Sequence, residues 1–230
     1  MILAAHQPHY LPWLGYLDKL DRADIFVLLD DVQYEVRGWQ NRNRIRSPKG
    51  SQWLTVPVHA HRSDRLMDVA ILKESSWQKS HSKNLEFNYQ RAQHFSFLWD
   101  FLKVIYEKEW IFLVELNIRN LEIILEVIGI KKKIVRSSTL NLRSHASQRL
   151  VELCKYFQAE KYLSGDGAKA YLDETLFAKE GIEVEFQQFS HPTYLQYPRG
   201  KGGFLEGLSC VDLIFNHGPE SLKILRSARI

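Results

Sequence analysis

The chain has 230 residues, a formal net charge of +4 and 45% hydrophobic content. That length suits one domain with a sizeable core, and the composition excludes disordered, collagen-like and low-complexity chains. The charge falls short of the strong basic bias of many nucleic-acid binders, and fits a pocket for an acidic ligand or a scattered surface excess equally well. Cys154 and Cys210 are far apart in sequence and outside any CxxC pair, which argues against a structural zinc site and a secreted disulfide scaffold. The start, MILAAHQPHY, lacks the basic and apolar stretches of a signal peptide. The longest apolar region, 110–130, is interrupted by Glu115, Asn117, Arg119, Asn120, Glu122 and Glu126, so no membrane insertion is expected and the location is read as cytoplasmic.

Residues 1–6 read as a buried strand. Pro8 and Pro12 forbid an uninterrupted helix through the next residues, and Leu14, Leu17 and Leu20 then give helical spacing over about 13–23. The run IFVLLDD (25–31) fits a strand buried on both faces of a parallel sheet. Residues 32–72 change character: RNRIRS (42–47), PKG and SQWLTVPV (51–58) predict a β-hairpin, read as an extension or flap outside the core. Residues 75–128 predict a helical insertion, with Trp77, His81, Leu85 and Tyr89 on one stripe and a longer pattern from 97 to 128 divided into two helices. Gly129 is its expected stop. Strands at 133–138, 161–165 and 182–189 then alternate with helices at 147–158 and 168–181, the former capped by Ser144 or Ser147, and a last helix spans 208–220. The expectation is a single α/β domain over 1–230, with a mostly parallel sheet covered by helices on both faces. In such sheets ligands bind at the carboxyl ends of the strands.

Several strings resemble the WbqC-like protein family: HQPHYLPWLGY (6–16), DDVQY (30–34), WQNRNRI (39–45), WLTVPV (53–58), WQKSH (77–81), YLSGDGAKAYL (162–172) and LSCVDLIFNHGP (208–219). They are spread over nearly the whole chain in the family's order. The resemblance implies a bacterial enzyme of surface-polysaccharide (O-antigen) biosynthesis, a transferase of aminoacyl or acyl groups to an amino sugar or sugar nucleotide. It implies no firm catalytic residue. The layout of strand, Pro-containing loop, helix and apolar strand is also similar to that of HxGH nucleotidylyltransferases, a Rossmann-like class. Trp13 and Tyr16 stand where those enzymes carry histidines that stabilise phosphate charge, which puts ordinary nucleotidyl transfer in doubt.

HQPHYLPWLGY is dense in functional side chains. His6 and His9 are candidate general acids or bases near neutral pH, with Gln7 beside them. Tyr10, Trp13 and Tyr16 offer aromatic faces for stacking on a base or sugar; the alternative is a tight strand-to-helix turn whose aromatics fill the core. Asp30, the better of an adjacent pair with Asp31, is a candidate catalytic carboxylate or Mg²⁺ ligand, or else caps a turn. Arg42 and Arg44 are candidates for clamping phosphate or carboxylate, with Asn41 and Asn43 on the opposite strand face; a solvated edge strand is the other reading. His81 is a candidate acid or base, or a hydrogen-bonded core residue. Ser164 and Gly165, in SGDG (164–167), are candidates to line the pocket, or to make a cap and turn. Asp212 and Asn216 share a helix face and are candidates to close the site. His59 and His61 lack further metal ligands, so no metal site is predicted. The sequence fixes no cofactor; Mg²⁺ or an activated acyl or nucleotide donor is compatible with it. The expected partner is a small molecule, a sugar nucleotide, and nucleic acid is disfavoured by the modest charge. A non-catalytic nucleotide- or RNA-binding module is the second reading, supported by the arginines beside Trp39 and Trp53.

Overall fold

The computed structural model describes residues 1–198 and 203–229. In chain order the elements are β1 (Ile2–His6), α1 (Leu14–Arg22), β2 (Ile25–Leu28), β3 (Arg42–Ser47), β4 (Gly50–Thr55), β5 (Val58–His59) and β6 (Ala70–Ile71). There follow α2 (Trp77–Tyr89), α3 (Phe95–Leu102), α4 (Val104–Glu107), α5 (Leu113–Ile128), β7 (Lys133–Arg136) and α6 (Ala146–Phe157). The chain continues through β8 (Lys161–Ser164), α7 (Glu174–Lys179), β9 (Glu183–Phe186), α8 (Cys210–His217) and α9 (Ser221–Arg226). The main sheet runs β7-β2-β1-β8-β9, and every adjacent pair is parallel.

Alternation along the strands divides the core into two layers. Ala4, Phe26, Leu28 and Leu163 face α1, α5 and α8. Leu3, Ala5, Ile25, Val27 and Tyr162 face α6 and α7. Such two-sided burial is why the central β1 and β2 are apolar nearly throughout, while the edge strand β9 alternates glutamates with apolar residues. The chain leaves β1 toward β2 on one side and leaves β8 toward β9 on the other. The carboxyl ends of β1 and β8 therefore flank the point where the winding reverses, the usual ligand crevice of open α/β sheets.

Several boundaries differ from the expectation. The hairpin is present as a separate antiparallel sheet, β3–β4. It is no flap: Ile45, Leu54 and Val56 are fully buried in the main core, and Arg46 is buried with them. The region 97–128 holds three helices, because Lys103 and the 108–112 segment interrupt it. Gly129 does end α5, in the left-handed conformation at φ +79°. The expected helix 168–181 is a 3₁₀ turn at Asp166–Ala170 followed by the short α7, whose cap is Asp173. The cap position of α6 belongs to His145, and Ser147 instead accepts the Asp173 backbone N–H.

The insertion, the hairpin and α8 meet at one buried carboxylate. Asp212 Oδ1 accepts from the Tyr89 hydroxyl at 2.7 Å, and Oδ2 from the Tyr194 hydroxyl at 2.9 Å and Gln196 Nε2 at 3.0 Å. Tyr89 Oη in turn accepts the Arg46 N–H at 2.7 Å. Burial raises the Asp212 pKa to about 6, with these donors pulling the other way. Because the native carboxyl binds its proton more tightly than the unfolded one, this group's contribution to stability falls as pH rises from about 4 to about 6. Asp212→Asn turns an acceptor into a donor facing two donors, and is expected to cost about 2 kcal/mol. Thermal melts should show a drop of roughly 4–8 °C; a change under about 1 °C would make the carboxylate dispensable.

Candidate functional site

The β1–α1 turn is buried, so its backbone groups need partners within the protein. Asn117 Nδ2 on α5 donates to the carbonyls of Pro8 at 3.1 Å and Gln40 at 2.7 Å. Asn43 Nδ2 on β3 donates to Leu11 O at 2.6 Å. The Tyr10 N–H donates to Trp39 O, and the Cys210 N–H, at the start of α8, to Pro12 O. Asn41 secures the hairpin itself by donating to Val56 O at 2.9 Å. Leu11 is thereby held at φ +44°, a left-handed conformation uncommon outside glycine. Asn41 and Asn43 thus act as backbone ties.

This turn brings His6 and His9 together, ring centroids 4.5 Å apart and edge to face. The Tyr16 ring lies 4.9 Å from His6 and 5.2 Å from His9. Burial, with the Lys19 charge next, holds His6 well below its ordinary pKa and His9 at about 3. Both imidazoles are neutral at pH 7. His9 Nδ1 and the Tyr16 hydroxyl are buried without a hydrogen-bond partner among the described residues. Gln7 accepts from Gln40 Nε2 and donates to Gln33 O, which links the crevice to the hairpin. Gly165 and the buried Ser164 end β8 on the other side.

Lys19 was not anticipated. It lies three residues beyond Tyr16 on α1, is 4% exposed, and donates to the Ala5 carbonyl at 3.1 Å. Desolvation lowers its pKa to about 7. Its sequence signal is a lysine flanked by the helical Leu17 and Leu20, where an amphipathic surface helix would place a solvated charge. Its ammonium instead turns toward the sheet, to Ala5 and Gly165, while the neighbouring Asp21 and Asp18 pair with Arg226 of α9 and with Arg229 beyond it.

Other anticipated residues stand elsewhere. Tyr10 is fully buried; its hydroxyl lies 2.9 Å from His81 Nδ1 and 3.0 Å from the Tyr106 hydroxyl. It has no face open for a base or sugar. His81 also hydrogen-bonds the Thr55 backbone, and burial lowers its pKa to about 4, so it is the hydrogen-bonded core histidine of the two readings. Tyr16 is buried against Phe26. Trp13 folds back over Gly15, where an added Cβ would lie 2.2 Å from its ring, and meets Phe189 edge to face. Asp30 is fully buried and accepts from Arg136 Nε, Ser137 Oγ and both the N–H and Oγ of Ser138. Those donors outweigh burial and lower its pKa. With its oxygens so occupied it serves as a turn anchor, and neither a base nor a Mg²⁺ ligand is free there. Asp31 pairs with Arg149. Asp212 and Asn216 do not close the crevice: Asp212 is saturated, and Asn216 holds the Tyr197 backbone. His59 and His61 are exposed, and no cluster of three metal-ligating side chains exists among the described residues.

Arg42 and Arg44 flank Trp53 on the open hairpin face, their guanidinium carbons 4.5 and 5.7 Å from the ring centroid. Trp39 lies beside it, centroids 5.6 Å apart, and the two indoles are 38% and 46% exposed. Neither arginine forms an ion pair with a carboxylate among the described residues.

The sequence model of the WbqC-like protein family matches residues 7–224. The chain belongs to the WbqC-like protein family. It is 38% identical over 229 residues to "Uncharacterized protein Rv1507c" of Mycobacterium tuberculosis, covering 99% of this chain and 98% of that one. No solved structure matches the chain. No helix among the described residues is long and apolar enough to cross a membrane.

The neutral histidines make the crevice acid-sensitive. Unfolding frees His9 to titrate at its ordinary value of 6.5, whereas the native imidazole resists protonation down to about 3. The unfolded state therefore binds more protons between those limits, and stability falls as pH drops through them. His9→Gln is expected to flatten that acid limb by about 1.4 kcal/mol per pH unit, read by urea denaturation at stepped pH. A limb of unchanged slope would mean that the imidazole is solvated.

Proposed function

We propose that this protein is a transferase that moves an aminoacyl or acyl group onto the amine of an amino sugar or sugar nucleotide, in the cytoplasm, for surface-polysaccharide synthesis. The observation that carries the reading is the His6–His9 pair at the β1/β8 crevice, 4.5 Å apart and held neutral by burial. A neutral imidazole accepts a proton, and an anionic substrate beside it increases its basicity. The amine nitrogen forms the amide bond to the acyl carbon. The donor's leaving group departs with the bonding pair, and His6 or His9 takes the proton shed by nitrogen. Arg42 and Arg44, without acidic partners, are suited to a nucleotide's phosphates, and Trp39 and Trp53 to its base or sugar. The free, buried Cys154 and Cys210 are compatible with a reducing compartment.

The same exposed indole–guanidinium surface supports a second reading, a non-catalytic nucleotide- or RNA-binding module. Its affinity for RNA would fall steeply with salt, with a log–log slope of roughly −0.7 per phosphate neutralised, whereas a flat response rejects it.

A thermal-shift screen of nucleotide sugars, acyl-CoA, amino acids and ATP–Mg²⁺ identifies the substrate class, since a ligand of the native state raises the melting temperature. With that substrate, His6→Gln and His9→Gln are expected to lower turnover by roughly 10²–10⁴-fold while far-UV circular dichroism stays unchanged. Parent-like turnover in both variants rejects the catalytic assignment.

A further inference from the structure

Lys19 is a buried cation with an incomplete shell. An ammonium has three donors, and this one uses a single acceptor, Ala5 O at 3.1 Å. No carboxylate pairs with it among the described residues. The acids of its own helix are committed elsewhere. Asp18 binds Arg229 and Gln187, and Asp21 binds Arg226 and Arg229. The imidazoles that feel its charge are neutral, His6 at the end of β1 and His9 in the turn, and the Tyr16 ring packs against both. From β8 it is met by Gly165, where an added Cβ would stand 4.0 Å from Nζ. His9 Nδ1 and the Tyr16 hydroxyl are also buried and without a hydrogen-bond partner among the described residues. Native proteins rarely leave three neighbouring polar groups so poorly satisfied, and each such group costs stability.

We propose that Lys19, Tyr16 and His9 form a binding site for a small oxyanion, the carboxylate or a phosphate oxygen of the substrate, beside Gly165 and His6 at the carboxyl ends of β1 and β8. The anion supplies the missing acceptors. Lys19 and Tyr16 donate to it, and His9 donates in the tautomer that carries its proton on Nδ1. Pairing also reverses the desolvation that holds the amine near neutrality, so binding above pH 7 takes up a proton. An oxyanion site of this kind would exist whether or not the chain transfers acyl groups, and its test needs no turnover.

The full chain, labelled with ¹³C at lysine Cε, is titrated by NMR with and without acetate or inorganic phosphate. The Lys19 signal is assigned by its loss in Lys19→Met or Lys19→Gln. In anion-free buffer it should titrate near pH 7. Either anion should move the midpoint up by about one unit or more, acetate indicating a carboxylate substrate and phosphate a phosphorylated one. Lys19→Met should weaken anion binding by roughly tenfold or more. It should also raise the melting temperature by about 2–4 °C, because it removes an uncompensated buried charge. A lysine that merely supports the fold would lower it. A midpoint unmoved by both anions, or a destabilised Lys19→Met, overturns the proposal.

Discussion

The structure depends on how a buried turn satisfies its own backbone. The segment from Gln7 to Trp13 leaves β1 at the centre of the sheet and is roofed by the hairpin, α5 and α8. It forms no regular ladder there, and two prolines remove its capacity to donate at those positions. Its carbonyls are instead taken by Asn43, Asn117 and the Cys210 N–H. Each of those groups comes from a different element. The hairpin and the insertion must therefore dock before the turn is stable, and the turn in turn sets the positions of His6 and His9. This explains why residues 32–128, which look like appendages in chain order, share one core with the sheet.

Buried charge in this protein is treated in two ways. Asp18, Asp21, Asp30 and Asp31 each meet an arginine, and Asp30 gains three further hydrogen bonds from Ser137 and Ser138. These carboxylates hold elements together: α1 to the C-terminal residues, and the segment after β2 to β7 and α6. Breaking one such pair would leave an uncompensated charge, which is more costly than replacing both members. Asp212 accepts from two phenols and an amide, with the Arg46 charge acting on it more weakly than these donors. Its pKa is accordingly raised where that of Asp30 is lowered. Burial alone does not decide ionisation; the number and charge of the donors do.

The centre of the sheet was readable because β1 and β2 are short apolar runs closed by polar residues, a pattern that two-sided burial demands. The turn between β1 and α1 was readable from Pro8 and Pro12. Side-chain roles were less so. Asn43 and Arg44 alternate as strand periodicity requires, yet nothing local shows that Asn43 ties a turn 32 residues earlier. His81 fits two readings locally, and the Tyr10 hydroxyl it meets lies 71 residues away. Arg46 looks like a solvated hairpin residue and is buried, because Tyr89 and the Pro198 carbonyl reach it from distant segments. Long-range partners choose among roles that local pattern leaves equal.

Lys19 is the sharpest instance of that rule. Helical spacing places it between Leu17 and Leu20, and a lysine there would ordinarily extend its ammonium into water. Here it turns toward Ala5 and Gly165 of the sheet, while Arg226 of α9 and Arg229 beyond it pair with Asp21 and Asp18. The same pairing consumes the two carboxylates nearest in sequence. A cation is thereby left beside two neutral imidazoles at the carboxyl end of the central strand. A fold selected for stability alone would gain by placing an apolar residue there. The retained charge is coherent with a crevice whose remaining partner is a ligand, and it gives the neutral His6 and His9 a reason to sit where they do: an anion bound by Lys19 would raise the basicity of both.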